Sequence, residues 1–405
     1  MASENTGPLA GLRVIELAHV MAGPACGLML ADLGADVVKV EKVPGGDDTR
    51  SLAPPRVGEE SAAFLMMNRN KRGVAVNLKS AGGKQVLRRL VRGADVLIEN
   101  YRLGTMERLG LGYETLKRDN PGLIWCEISG FGRSGPYAAR AGFDLIAQGM
   151  SGLMSITGEG PGRPPVKVGA PVTDITAGIL GAMGVLAAYV HRLSSGEGQR
   201  VDTSLFEAGV VHTYWQSAIC LATGVSPGPM GSAHPLSAPY QAFETADGWI
   251  TLGAANQANW LRLTEVLEAP ELAADPRFRL NADRMANLEA LSGELGRRFR
   301  ARTMADWLER LEAAGVPAGP VLSVAEMHAD PQTQAREMVT EAPHRRLGAV
   351  RTIGVPVKFS ASPGGVRFAA PEYGEHTAEV LAELGYGGAE IAALEAAGAI
   401  ALGAP

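Results

Sequence analysis

Short apolar strings alternate with helical segments along the first part of the chain. RVIEL (13–17), DVVKVEK (36–42), DVLIEN (95–100) and GLIWCEISGF (122–131) are compact apolar runs that read as strands. Between them, PACGLMLADLG (24–34) closes on a glycine, and GKQVLRRLVRGA (83–94) repeats its apolar positions at helical spacing. Strands separated by helices of this length predict βαβ units and a parallel sheet. The expected class is therefore α/β, with the character of a nucleotide-binding fold.

Further along, an apolar helix is expected over roughly 176–193, ended by LSSGEGQ. Its longest apolar run, Gly178 to Val190, is too short to span a bilayer. RVDTSLFEAGVVHTYWQSAICLATG (200–224) reads as a strand followed by one long helix. The stretch 225–239, rich in Pro, Gly and Ser, marks a boundary or loop. YQAFETADGWITLGA predicts a hairpin turning at Asp247-Gly248, helices dominate from 257 to 314, and two more helices close the chain. GVPAGPVLS and RTIGVPVKFS read as strand-and-turn segments leading back to the first domain.

A chain of 405 residues exceeds one ordinary core, so two domains are expected. A net charge of −5 argues against a nucleic-acid partner. Three dispersed cysteines fit neither a metal site nor a disulfide framework, which points to a cytoplasmic protein. The opening MASENTGPLAG lacks the basic and apolar regions of a signal peptide, and no segment suggests a membrane partner.

Candidate chemistry is sparse. There is no Walker loop, and AHVMAGPACG (18–27) lacks the glycines of a nicotinamide fingerprint. His19 follows a strand at the end where α/β folds bind ligands. Lys39, Lys42, Arg50, Arg69, Lys71, Arg72 and Lys79 form a run of cations. They suit a phosphate-bearing ligand, or a solvated face paired with Glu41, Asp47 and Asp48. Asp174, in KVGAPVTDITAG, reads locally as a helix N-cap or strand-end acid; no histidine or cysteine at helical spacing supports a metal there.

The segments LAGLRVIELAHVMAGPACGLMLADLGADVVKVEK, NRNKRGVAVNLK, ADVLIENYRLGTMERLGLGYETL, GFDLIAQGMSGLMSITG, GAPVTDITAG and DGWITLGAANQANW resemble, in order and over almost the whole chain, the class III CoA-transferases. That resemblance implies a Rossmann-like large domain (1–200 and 340–405), a smaller inserted α/β domain (225–330), linkers at 201–224 and 331–339, and an interlaced, ring-like homodimer. It places the nucleophilic aspartate of the family on Asp174. It places CoA contacts on His19, Val20, Met21, Ala22 and Lys42, on Val76, Asn77, Leu78 and Lys79, and on Asn100, Tyr101, Arg102 and Arg108. A segment near the thioester falls on Ala141, Gly142, Phe143 and Asp144. CoA enters as substrate, with no permanently bound cofactor or metal.

The implied reaction exchanges CoA between an acyl-CoA, with succinyl-CoA or another diacid ester foremost, and a small carboxylic acid. Arg69, Arg72 and Arg140 are cations able to hold a second carboxylate. The related α-methylacyl-CoA racemases carry a histidine in a Gly-His-Asp triplet that here reads Gly142-Phe143-Asp144. Phenylalanine cannot move a proton, which favours transfer. Racemisation, and a non-catalytic CoA-binding protein, are the alternatives.

Overall fold

A computed structural model of the chain describes residues 7–403; residues 1–6, part of the stretch inspected for a leader, and 404–405 lie outside the described residues. Seven strands share one sheet: β1 (Arg13–Glu16), β2 (Asp36–Glu41), β3 (Lys71–Val76), β4 (Val96–Glu99), β5 (Ile124–Ser129), β6 (Arg200–Ser204) and β7 (Ile400–Ala401). Their order is β7-β3-β2-β1-β4-β5-β6, with every neighbouring pair parallel except β7 and β3. This 3-2-1-4-5-6 arrangement is the doubly wound order of dinucleotide-binding folds. The order reverses between β1 and β4, so a crevice opens beyond their carboxyl ends.

The four strands expected early in the chain are present, as is the one expected at 200; β3 and β7 are additions. In β3, Val74, Ala75 and Val76 come only after Lys71, Arg72 and Gly73, so the apolar run is too short to announce a strand. Strand residues alternate between two cores, as a sheet covered on both faces requires. Ile15, Val38, Leu97 and Trp125 enter one; Val14, Val37, Val96 and Ile124 enter the other. Each such side chain contributes roughly 1.5–3 kcal/mol on burial.

The helices that position the site are α1 (Ala22–Asp32), α2 (Ala81–Arg92), α3 (Asp144–Met150) and α4 (Val172–Ser195). Helix α2 is capped by Ser80, whose hydroxyl accepts from Gly83 N at 3.0 Å, and buries Val86, Leu87, Leu90 and Val91. Helix α4 starts four residues earlier than the apolar pattern suggests. At 24 residues it is long and apolar enough, by those criteria alone, to cross a membrane. Its small residues instead seat it on α1. A Cβ at Gly178 would lie 2.6 Å from Ala25 Cβ and 2.7 Å from Ala22 O, so only glycine allows this approach.

The chain divides into two compact units, one of residues 1–152, 168–212 and 331–405, the other of 153–167 and 213–330. Residues 201–204, read above as linker, are the end of β6. The single long helix expected after it is two, Leu205–Val211 and Tyr214–Thr223, interrupted at His212 and Thr213. The second unit has a three-stranded antiparallel sheet (Tyr240–Glu244, Trp249–Gly253, Ala318–Pro320) over a core that includes Phe243, Trp260, Phe278, Phe299 and Trp307. The hairpin turns at Asp247-Gly248 as expected, with Thr245 N donating to Gly248 O at 2.8 Å. Strand Ala318–Pro320 belongs to this unit and does not return to the first. Gly348–Ile353 does lie in the first unit, paired with Val339–His344 in a separate hairpin.

Candidate active site

The loops that leave β1 and β4 are clamped together. His19 N donates to Asn100 Oδ1 at 3.0 Å, and Asn100 Nδ2 donates back to His19 O at 2.7 Å. Between them, Val20 has φ +69°, a left-handed conformation that a β-branched residue adopts only at a cost of about 1–3 kcal/mol. Its N–H donates to Asp47 Oδ1 at 3.2 Å, and Asp47 is held by Lys39 at 2.8 Å. The strain is therefore locked by a buried ion pair. His19 packs edge-on against Tyr101, and its burial lowers its pKa.

The opposite wall is the segment after β5. Gly130 and Gly142 cross with their backbones in contact: a Cβ on Gly142 would lie 2.6 Å from Gly130 Cα. No side chain fits at either position. Immediately afterwards α3 begins with Asp144, whose Oδ1 accepts from Thr173 N at 3.0 Å and Thr173 Oγ1 at 2.7 Å. Its Oδ2 accepts from Gln148 Nε2 at 2.7 Å, and Gln148 Oε1 accepts from Val168 N at 2.9 Å. One carboxylate thus ties the start of α3 to the start of α4.

That tie decides the role of Asp174 in its helix. Pro171 occupies the N-cap and supplies no side-chain bond. Asp144 satisfies the first-turn amide of Thr173 from outside, so Asp174 is not the cap that local reading expects. Among the described residues no donor is hydrogen-bonded to the Asp174 carboxylate. Burial, and then the charge of Asp144, push its pKa up to about 7, well above the usual carboxylate range.

Asp174 opens into a cavity of about 230 Å³. His19, Val20, Met21 and Ala22 line one side, Asn100, Tyr101 and Arg102 another, and Ala141, Gly142 and Phe143 a third. Eleven sequence-predicted residues, counting Asp174, thus converge. Asp144 stands behind the wall rather than in it. Lys42, Val76, Asn77, Leu78, Lys79 and Arg108 are also outside the lining. Lys42 is exposed and pairs with Asp48. Val76 is buried in the core, where Leu78 packs, while Asn77 Nδ2 donates to Gly398 O and Lys79 is exposed. Arg108 donates to Thr105 Oγ1 at 2.9 Å.

The run of cations does not form a phosphate patch. Lys39 and Lys71 are fully buried and both hold Glu16, at 2.9 and 2.8 Å. Arg50 pairs with Glu41, Arg69 with Asp32, and Arg72 with Asp36, Glu379 and Glu383. Pairing with Glu41, Asp47 and Asp48 was the competing expectation, and it accounts for Lys39, Lys42 and Arg50. The cavity also gains residues that sequence reading missed, including Ser129, Gly130 and Arg133. A glycine directly past β5 is the one local signal that marked this region.

Residues 9–377 match CoA-transferase family III. This chain belongs to that family. The CoA-transferase is 43% identical over 383 residues to a succinate–glutarate CoA-transferase of Agrobacterium fabrum, covering 93% of this chain and 96% of that protein. It is 42% identical over 400 residues to a succinyl-CoA:mesaconate CoA-transferase of Haloarcula hispanica, covering 94% and 97%. Among solved structures, a CAIB/BAIF family protein from Brucella suis superposes with a TM-score of 0.83 at 42% identity, covering 93% and 99% of the two chains. The enzyme is thus a class III CoA-transferase, acting on CoA thioesters and carboxylates.

Proposed function

We propose that this CoA-transferase moves CoA from succinyl-CoA, or another diacid thioester, to a small carboxylic acid through Asp174. A carboxylate oxygen of Asp174 attacks the thioester carbonyl, the C–S bond breaks, and CoA leaves as thiolate. The product is a mixed anhydride, so the acyl group stays activated. The thiolate attacks the aspartyl carbonyl, forming an aspartyl-CoA thioester and releasing the first acid. The acceptor carboxylate attacks that thioester, and the returning thiolate takes the new acyl group and frees Asp174. Atoms balance without ATP or metal.

The observation that carries this reading is an acid with no hydrogen-bonded partner among the described residues, facing a cavity formed by residues from the family's CoA motifs. An ion-paired carboxylate would have to break its partner before attacking; Asp174 has none to break. The thioester end would occupy the cavity. Of the remaining motif residues, Val76 ends β3, and Lys42, Asn77 to Lys79 and Arg108 follow β2, β3 and β4, along the carboxyl edge of the sheet. That placement supports a nucleotide portion lying outside the cavity.

The same reading includes a cytoplasmic, interlaced homodimer. Helix α4 carries an exposed apolar stripe of Ile175, Ile179, Met183, Val190 and Leu193, the last 70% exposed, and α3 exposes Leu145, Ile146 and Met150. A stripe of that extent fits a protein–protein interface. The test of the reaction is to incubate the enzyme with a panel of acyl-CoAs, trap with hydroxylamine or borohydride, and map the adduct by peptide mass. An adduct at Asp174 is expected; transfer with the adduct at another residue overturns the assignment. Exchange of the α-hydrogen in heavy water without acyl transfer would instead establish the racemase alternative.

A further inference from the structure

The sequence offered three arginines for a second carboxylate, and the structure separates them. Arg69 is consumed by Asp32, with Nη2 at 2.6 Å, and Arg72 by three acids. Neither lines the cavity of Asp174; Arg140 does.

Arg140 is also held in a particular way. Its guanidinium lies over the Tyr137 ring, 4.3 Å from the centroid. Tyr137 packs edge-on against Phe131 at 5.8 Å, and Phe131 in turn packs on Phe206 at 6.1 Å. Stacking fixes the plane of the cation through its face and leaves its N–H edges unspent. Among the described residues, no carboxylate or carbonyl is hydrogen-bonded to that guanidinium.

Of the other arginines of the cavity, Arg133 is paired, whereas Arg102, also without a hydrogen-bonded partner among the described residues, is not stacked on a ring there. Arg133 is spent on Glu127 at 3.0 Å, on Glu99, and on Tyr101 O at 2.9 Å. Arg102 directly follows Asn100 and Tyr101, in the segment that resembles the family's CoA contacts. A planar fork with free donors, in the same cavity as the reacting acid, is suited to a carboxylate and poorly suited to a neutral acyl chain.

We propose that Arg140 binds the distal carboxylate of a diacid whose other carboxyl group reacts at Asp174, and so makes the enzyme select dicarboxylates over monocarboxylates. This rests on the reaction proposed above. The stacked aromatics orient the fork, so a lysine at the same position keeps the charge and loses the two-point contact.

The experiment compares the wild type, Arg140→Gln and Arg140→Lys as purified full-length proteins, with folding monitored by melting curves. One set of assays measures kcat/KM for glutarate and valerate as acceptors with a fixed donor. A second measures kcat/KM for succinyl-CoA and butyryl-CoA as donors. Loss of a charge-assisted pair predicts that the diacid-to-monoacid ratio falls about 10- to 100-fold in Arg140→Gln, in both sets, with Arg140→Lys in between. An equal loss for succinyl-CoA and butyryl-CoA, leaving the ratio unchanged, would mean that Arg140 holds a CoA phosphate, and overturns the proposal. Failures of the two readings are distinguishable. An intact adduct at Asp174 with an unchanged ratio breaks only the Arg140 assignment. Absence of transfer to any acid by the wild type breaks the reaction, and the carboxylate role with it.

Discussion

Two carboxylates in the large unit, one buried and one half-buried, are treated in opposite ways. Glu16, at the end of β1, is completely buried yet lies between Lys39 and Lys71, with Lys39 also holding Asp47. The lysines respond differently to the shared acid: the acids around Lys39 raise its pKa, whereas burial brings Lys71 down to about 8. Asp174 is less buried, yet no cation among the described residues is paired with it and it faces a second acid, Asp144. Burial alone therefore does not mark the site. The contrast lies in a half-buried acid that the described residues leave without a cation, an arrangement that folding stability disfavours and that suits a reacting group.

The sharpest way to break this contrast is to remove each acid in turn. Asp174→Ala should abolish transfer, by about 10⁴-fold or more, as loss of a covalent nucleophile does. CoA binding, read by calorimetry, should persist. Retention of the wild-type rate would make Asp174 another structural acid. Glu16→Gln should do the reverse: binding and chemistry fail only because the fold does, with stability falling by roughly 3–5 kcal/mol in urea titrations as two buried lysines lose their acid. Adding Lys71→Met should restore part of that loss. If Glu16→Gln melts like the wild type, the cluster is not the compensated partner in the comparison.

How much of this was legible beforehand follows the range of the interactions involved. Strands β1, β2, β4 and β5 show in the sequence because their apolar runs are local. β3 was hidden because Lys71 and Arg72 begin it, and their burial depends on Glu16 and on Asp36, far away in sequence. For the same reason the cation run could not be resolved into phosphate site or paired residues. The Asp144–Thr173 bond spans 29 residues, so the outside cap of α4 was invisible and Asp174 looked like a cap itself. The motif residues that converge on the cavity were assigned by family resemblance; periodicity placed only the strand ends that carry them.

A smaller perturbation separates the walls of the cavity from its acid. Gly142→Ala forces a Cβ to within 2.6 Å of Gly130 Cα, where only backbone can move. Displacing the loop that leads into Asp144 by about 1 Å should lower kcat/KM about 100-fold, with a smaller fall in melting temperature from the strained contact. An unaffected rate would show that this wall does not position the reacting groups.

The smallest effect is the most discriminating, because it leaves the acid in place and changes only its neighbour. Asp174 with a pKa near 7 is half protonated at neutral pH, and the protonated form cannot attack. The kcat/KM profile of the wild type should therefore rise with pH through about 7 on its acid side. Folding has the complementary sign. The charged form is disfavoured in the native state, so Asp174 costs stability above pH ~7, progressively less between pH ~7 and ~4, and nothing below the unfolded value. Asp174→Asn should therefore melt higher than the wild type at pH 8 and alike at pH 4. Asp144→Asn keeps an oxygen for Thr173 but removes the charge that faces Asp174. The acid limb should then move to lower pH, with a rate loss of about tenfold or less at pH 8 from the loosened bond to Gln148. A limb that stays where it was, with the same loss at every pH, would mean that Asp144 only holds the two helices together. Burial without a paired cation among the described residues would then be enough to set Asp174 apart from the compensated Glu16.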